Sequence, residues 1–469
     1  MDAEDPGLST SVEQRGWARM LERIWSACGE GPAPEADITG DAVLPGIFHC
    51  ADLACASLAA AALAAAELVD VRWGFRPGVQ VDRRLACLWF ESSVRPLGWV
   101  PPAIWDPLAG DYRARDGWIK LHTNAATHRR AALEVLDCAQ ERSAVAAAVA
   151  RRDGEELEAA IVAAGGAAAR MRSVEEWDRH PQGRAVAREA LVARTRGSHA
   201  PGAPLLVRPS RPLAGTRVLD LTRVLAGPVA TRFLAGLGAE VLRIDPPGWD
   251  EPALVAETTL GKCCATLDLG TPAGRAKLLA LASDADILVH GYRPGALAAL
   301  GLGEELLEQH SPGLVQVTLD AYGWSGPWRG RRGYDSLVQM SCGIFEAGLA
   351  ASAGEVPVHL PVQALDHATG YIMACAALRG LTRRLRTGSG EKARASLAAT
   401  ARLLTHDGNT EQPGPLAAAR PDDHGPAVEP TVHGPALRLR PPLAITNVDF
   451  GWTRPALGVG SGRCAWRRP

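Results

Sequence analysis

The feature that most constrains the fold is a regular alternation of short apolar strands and helices after residue 212. The dipeptide Thr271-Pro272 is typical of a helix start, because threonine caps the free N–H groups and proline fits the first helical position. Strands that alternate with helices indicate a mostly parallel sheet. We therefore predict an α/β fold with a Rossmann-like large domain, whose strands lie at 217–221, 240–244, 263–269, 286–290 and 314–319.

The length of 469 residues favours more than one domain. An α+β pattern precedes the alternation, and a stretch rich in proline and glycine separates the two. A further stretch, 406–442, has eight prolines and is predicted to run as an extended loop. The expected division is an N-terminal helical segment (1–100), a smaller α+β domain (101–197), a linker (198–211), the large domain (212–404) and a Pro-rich C-terminal tail (405–469).

Charge and cysteine usage narrow the classes of function. The formal net charge is −2, which argues against nucleic acid as a partner because phosphate binding needs excess positive charge. The ten cysteines include no C-x-x-C pair, so we expect reduced thiols and no metal site. Residues 1–10 are acidic and lack the order of a signal peptide, so a cytoplasmic location is expected.

The most apolar run, 53–68, is dominated by alanine and interrupted by Glu67. This composition predicts a buried helix rather than a membrane span. The run also belongs to a weak internal repeat, in which Asp52 and Asp366 each precede an alanine-rich helix and then a strand, predicted at 79–90 and 392–397. The pattern alone leaves a true repeat and chance similarity equally open.

Several ordered motifs carry a resemblance to a known family. The segments P-L-A-G-T-R-V-L-D-L-T (212–222), L-A-G-P (225–228) and L-G-A-E-V (237–241) resemble the opening of the family III coenzyme A transferases, the CaiB/BaiF family. Gly261-Lys262 before L-D-L, the R-P-G of 293–295 and the G-L-G of 301–303 follow in register. The resemblance covers about 212–404 and implies the family's α/β fold.

The N-terminal half resembles the same family in a different order. D-G-W (116–118) and the segment 176–182 are similar to the start and end of the family's small domain, which normally follows the large domain. The chain therefore resembles a permuted member with a degenerate copy of the aspartate helix, headed by Asp52. The resemblance implies an interlaced homodimer, and an apolar helix after Asp52 that needs a covering surface favours a dimer too.

The resemblance also implies a site. Asp366 corresponds to the family's catalytic aspartate, a nucleophile that attacks an acyl-CoA thioester and then carries CoA to a carboxylic acid. Its place at a helix start favours the ionised carboxylate. No tightly bound cofactor is expected, since coenzyme A and acyl-CoA act as substrates. The implied coenzyme contacts are Arg223, Val224, Ala226, Lys262, Tyr292 and Arg293.

Two alternatives stay open. A 2-methylacyl-CoA racemase or epimerase is disfavoured because Tyr334 stands where the racemases have a histidine base, and His367 is an uncertain substitute. A non-catalytic acyl-CoA-binding subunit is suggested by the permuted order and by a missing coenzyme-binding arginine near Pro246. Asp52 looks like Asp366 locally, but we favour a structural role for it.

Overall fold

The structure is a computed structural model that describes residues 6–200, 209–352, 354–412, 414 and 418–467, with the backbone alone described for 6–15 and 409–412. The first hundred residues combine long helices with very short strands. In chain order the elements are α1 (Pro6–Cys28), β1 (Asp37–Thr39), β2 (Gly46–Phe48), α2 (Cys50–Trp73), β3 (Val79–Asp82), α3 (Arg83–Glu91) and β4 (Val94–Pro96).

A small α+β unit follows. Its three strands form an antiparallel sheet in the order β5-β6-β7, and its helices bury the apolar side of that sheet. The elements are β5 (Gly110–Ala114), β6 (Gly117–Leu121), α4 (Ala126–Leu136), α5 (Arg142–Val149), α6 (Gly154–Ala163), β7 (Ala168–Arg170), α7 (Val174–Arg179) and α8 (Pro181–Arg188).

The large unit is built on a seven-stranded sheet. Its elements are β8 (Val192–His199), β9 (Arg217–Leu221), α9 (Ala226–Gly236), β10 (Glu240–Asp245), α10 (Val255–Thr258), β11 (Lys262–Thr266), α11 (Pro272–Ala282), β12 (Ile287–His290), α12 (Ala296–Ala299), α13 (Glu304–His310), β13 (Val315–Asp320), α14 (Asp335–Ser341), α15 (Ile344–Ser352), α16 (Ala364–Thr387), β14 (Ser389–Ser396) and α17 (Leu397–Thr405).

The strand order of this sheet is β11-β10-β9-β12-β13-β14-β8. All neighbours pair in parallel except β8, which pairs antiparallel with β14 at one edge. Because the order reverses between β9 and β12, the carboxyl ends of these strands flank a switch point, where α/β sheets bind ligands. The α/β fold class with a large parallel sheet is confirmed.

The C-terminal residues form strands rather than the predicted loop. They are β15 (Asn409–Gln412), β16 (His424–Thr431), β17 (Gly434–Leu439) and β18 (Leu443–Ile445), with a 3-10 turn at Pro421–Asp423. β15 pairs with β2, β17 pairs with β4, and β18 pairs with β3. The extended-loop prediction was wrong because Pro426 and Pro430 lie in the edge strand β16, where a missing N–H is tolerated, and Pro435 lies near the start of β17.

Two further boundaries differ from the sequence-based expectation. Ser198 and His199 belong to β8 within the large sheet, so the small unit ends before Val192; residues 201–208 of the predicted linker lie outside the described part. The strand predicted to continue to residue 90 ends at Asp82, because the Asp82 side chain accepts a hydrogen bond from the Leu85 N–H (2.9 Å) and starts α3.

Helices α2 and α16 pack side by side in the core. Of the described helices, α2 is the one long and apolar enough to cross a membrane, and 89% of its most apolar window is buried inside the protein. The Arg379 guanidinium of α16 is buried against the Glu67 carboxylate of α2 (3.1 Å). Helix α2 is thus apolar on all sides because it is surrounded by its own chain.

The internal repeat is present in three dimensions. Each copy is a 24-residue helix, a strand and a capped helix: α2–β3–α3 and α16–β14–α17. β1 pairs in parallel with β3 as β13 does with β14. Asp52 and Asp366 are each the third residue of their helix. The repeat that the sequence left open therefore extends to element order, strand pairing and helical position.

Candidate active site

A two-part cleft lies at the carboxyl ends of the sheet strands. Its outer groove, of about 450 Å³, is lined mainly by the loop after β9 and by residues 291–293 and 319–321. Its inner cavity, of about 610 Å³, lies between the small unit (103–106 and 122–127) and the segment 248–254. Asp366 and Tyr334 line both parts, so the Asp366 carboxyl lies where groove and cavity meet.

The Asp366 side chain is held at the start of α16 beside a second carboxyl group. Its backbone N–H donates to Asp335 Oδ2 (3.0 Å), and the Gln339 amide donates to the other Asp335 oxygen. Burial and the neighbouring Asp335 raise the pKa of Asp366 well above its ordinary range. Burial and Asp335 therefore oppose the helix-start charge, which favours the anion.

The loop between β9 and α9 is shaped by buried charges. Asp220, the penultimate residue of β9, accepts hydrogen bonds from the Thr222 N–H (2.9 Å) and from the Thr231 hydroxyl (2.5 Å). Val224 has φ +66°, a left-handed conformation that is strained for a β-branched residue. Its N–H donates to Glu251 Oε1 (2.6 Å), and Glu251 in turn pairs with the buried Arg243 (2.9 Å).

Lys262 does not line the cleft, so its predicted contact with coenzyme phosphates was wrong. Its ammonium group is fully buried beneath the loop, where it pairs with Asp220 (3.0 Å) and donates to the Thr231 hydroxyl and the Pro228 carbonyl. Burial lowers the pKa of Lys262 while Asp220 opposes that change. The lysine supports the loop from inside the protein.

The remaining predicted coenzyme contacts line the outer groove together. Arg223 stacks over the rings of Trp249 (5.1 Å) and Tyr292 (4.9 Å), and Arg293 is exposed. Val224 and Ala226, at the start of α9, line the same groove. Arg332 adds a further guanidinium group, whereas Arg331, which also lines the groove, is paired with Glu158 (2.9 Å). The groove therefore concentrates positive charge and flat aromatic surface.

Tyr334 is covered by two histidines that sequence reasoning missed. The His122 ring stacks on it at 3.8 Å between centroids and 5° between planes, and His128 meets it edge-on. Burial lowers the pKa of His122 to about 3 and that of His128 to about 4, and it raises the pKa of Tyr334 to about 12. The stack joins residues more than 200 positions apart, so no local pattern indicates it.

Two other candidates lie away from the cleft. Asp52 is buried at the start of α2, where Arg83 pairs with it (2.6 Å) and His49 lies at 3.5 Å. His367 is buried against the Phe90 ring (5.0 Å between centroids). Neither residue lines the groove or the cavity. No group of three potential metal-ligating side chains occurs among the residues that the structure describes.

Residues 213–427 match the sequence model described as "CoA-transferase family III". This region is a CoA-transferase family III domain. A probable fatty acyl-CoA transferase from Mycobacterium tuberculosis is 35% identical over 194 residues, which cover 38% of this chain and 49% of the relative. Human succinyl-CoA:glutarate CoA-transferase is 34% identical over 193 residues, covering 38% and 44%. The chain thus spans about half the length of the curated relatives it matches.

Among solved structures, a CaiB/BaiF family protein from Brucella suis is 25% identical, with a TM-score of 0.38 over 48% of this chain and 65% of that one. The family III domain contains Asp366, Asp335 and the arginines of the outer groove. The opposite wall of the inner cavity comes from residues 103–127, which lie outside the domain. The cleft therefore combines the family III domain with the small unit that precedes it.

Proposed function

We propose that the protein is a CoA-transferase that moves coenzyme A between an acyl-CoA and a carboxylic acid through Asp366. The observation that carries this proposal is the position of the Asp366 carboxyl at the junction of an arginine-lined groove and a cavity large enough for an acyl group. The match of residues 213–427 to CoA-transferase family III supports the same activity.

The proposed reaction uses the aspartate as a covalent carrier. The ionised Asp366 attacks the thioester carbonyl, a C–O bond forms, and the C–S bond breaks to release CoA thiolate. The thiolate attacks the aspartyl carbonyl of this mixed anhydride and frees the first acid. The acceptor carboxylate then attacks the aspartyl-CoA thioester, and the released thiolate takes the acceptor's acyl group to regenerate Asp366.

The outer groove suits the coenzyme. Arg223 and Arg293 supply charge for its phosphates, and the rings of Trp249 and Tyr292 supply flat surface for its adenine. Ala226 and Val224 border the same space. The Val224 N–H already donates to Glu251, so we do not assign a phosphate to it. Coenzyme bound here would bring its thiol end to Asp366.

Trapping of the intermediate tests the proposal. The protein is incubated with a panel of acyl-CoAs and hydroxylamine, and the peptide that carries Asp366 is analysed by mass spectrometry. We expect Asp366 to become a hydroxamate only when acyl-CoA is present. An unmodified Asp366 together with acyl-CoA binding by titration calorimetry would instead favour the non-catalytic subunit.

The racemase alternative lacks a base suited to neutral pH. A catalytic base works best when its pKa is near the working pH. The pKa of Tyr334 is near 12 and that of His122 near 3, so the first holds its proton too tightly and the second too weakly. Deuterium wash-in at the α-carbon of a 2-methylacyl-CoA should therefore be slow; fast exchange would favour the racemase.

All ten cysteines are free thiols, and most of them are buried. Disulfides form and persist mainly in oxidising compartments. We therefore propose a cytoplasmic location for the protein.

A further inference from the structure

We infer that the acyl group and the acceptor acid handled by this cleft carry no second carboxylate, so that the substrates are monocarboxylic acids. This inference rests on the proposed CoA-transferase function. It follows from the distribution of charge between the two parts of the cleft and from the ion pairs of three cations beside the inner cavity.

The two parts of the cleft differ in charge. The outer groove is lined by four arginines, at positions 223, 293, 331 and 332, of which Arg331 is paired with Glu158, and by the carboxyl groups of Asp320 and Asp366. The inner cavity is lined by the carboxyl groups of Asp106, Asp250, Glu251 and Asp366, and its described lining residues include no lysine or arginine. A coenzyme that fills the groove uses its arginines, so the acyl group enters a space whose charged lining groups are carboxyls.

Three cations outside the groove contact the lining of the inner cavity, and each is already paired. Arg129 bonds to Asp106 (2.6 Å), Arg243 bonds to Glu251 (2.9 Å), and Lys120 bonds to Asp111 (2.8 Å). The first two ion pairs fix the lining carboxylates of Asp106 and Glu251, and Lys120 lies over the ring of Trp105, another lining residue. Moving a cation to a substrate carboxylate would leave a buried acid without its partner, which is costly.

The neutral groups of the cavity do not supply a positive charge either. His122 is buried, its Nδ1 has no partner among the described residues, and its low pKa keeps the ring neutral at pH 7. The other lining side chains are apolar or neutral, with Trp105, Trp249 and Leu254 among them. A second substrate carboxylate would therefore lose water without gaining a cation.

Matched pairs of substrates test the inference. Butanoyl-CoA is compared with succinyl-CoA, and pentanoyl-CoA with glutaryl-CoA, because each pair has the same carbon chain and differs in one terminal carboxylate. Each acyl-CoA is incubated with its own ¹³C-labelled acid, and label in the acyl-CoA is followed by mass spectrometry. We expect kcat/KM to be at least about tenfold higher for the uncharged member of each pair, equivalent to about 1.4 kcal/mol.

The outcomes separate this inference from the proposed function. Equal or faster exchange with succinyl-CoA or glutaryl-CoA would overturn the inference and leave the CoA-transferase function standing. An absence of exchange with every acyl-CoA would contradict the proposed function itself.

A single substitution provides an independent test. Ala126 is exposed, begins α4 and lines the inner cavity. Ala126→Arg adds the missing cation there, and Ala126→Gln adds similar bulk without charge. We expect the arginine variant to shift the glutaryl-to-pentanoyl ratio of kcat/KM upward by about tenfold, and the glutamine variant to leave that ratio unchanged. An unchanged ratio in the arginine variant would contradict the inference.

Discussion

Asp52 and Asp366 occupy the same position in two similar helices, but their neighbours differ. Arg83 forms a buried ion pair with Asp52 (2.6 Å), whereas the Asp366 carboxyl lies beside Asp335 and opens onto the cleft. A carboxylate held by a guanidinium is stabilised as an anion but is unavailable as a nucleophile. The neighbouring residue, rather than the helix start, therefore decides which copy is suited to chemistry.

We predict that Asp366→Ala abolishes CoA transfer and leaves the fold nearly intact. Loss of a side chain from the first turn of a helix costs about 1 kcal/mol, and Asp366 lies in the first turn of α16. Transfer is measured by acyl-CoA turnover and the fold by thermal unfolding. A variant that retains more than about one tenth of the normal rate would contradict the assignment.

Asp52→Asn is the matched control for that experiment. It leaves the Arg83 guanidinium without its anion, so we expect a loss of up to about 3–5 kcal/mol in the free energy of unfolding. Turnover by the folded fraction should stay near the normal value. Substitution of Asp366 should therefore lower activity, whereas substitution of Asp52 should lower stability.

The pH dependence of turnover should report the raised pKa of Asp366. The ionised carboxylate attacks, so kcat/KM falls as pH decreases through that pKa, which burial and Asp335 raise. Asp335→Asn removes the like charge and lowers the pKa of Asp366, so the acidic limb of the profile should shift to lower pH. An unshifted limb in a folded variant would show that another group controls it.

At the scale of elements, the large sheet was the most predictable part of the molecule. The strand predicted at 217–221 is β9, and Thr271 caps α11 as its sequence indicates. Local periodicity and capping chemistry determine these elements. The pairing of β17 with β4 and of β18 with β3 joins residues some 340 and 360 positions apart, and short strands rich in proline carry little local signal.

The functional site was predictable only where its residues belong to sequence motifs. Asp366 and the groove residues follow motifs with fixed spacing, whereas Lys262 was misassigned because a motif does not reveal whether its side chain faces the ligand or the interior. His122 and Glu251 were missed since their roles depend on contacts across the cleft. Burial and long-range contact are the physical properties that sequence spacing leaves undetermined.

Lys262 in β11 and Arg293 after β12 should respond differently to substitution. Lys262→Ala leaves Asp220 buried and unpaired beneath the loop, so we expect about 3–5 kcal/mol of lost stability by thermal or urea unfolding. Arg293→Ala should change the free energy of unfolding by about 0.5 kcal/mol or less because the side chain is exposed. The KM of this variant for acyl-CoA should rise roughly tenfold. A stable Lys262→Ala with a raised KM would restore the original assignment.

At the scale of the whole molecule, one chain brings together parts that are distant in sequence. The family III domain supplies Asp366 and the arginines, and the preceding small unit supplies the wall at 103–106 and 122–127. The copy α2–β3–α3 packs against α16 from within the chain. The argument that α2 needs a second subunit to cover it no longer applies, and the proposed homodimer rests on the family resemblance alone.

We therefore predict that turnover per chain does not depend on dimer formation. Because a single chain supplies both walls of the cleft, dilution should leave kcat unchanged even where light scattering reports a fall from twice 49.5 kDa to 49.5 kDa. Activity is measured from micromolar to nanomolar protein with saturating acyl-CoA and acceptor acid. A loss of activity that follows dissociation, reversed by raising the protein concentration, would mean that a second subunit contributes to the site.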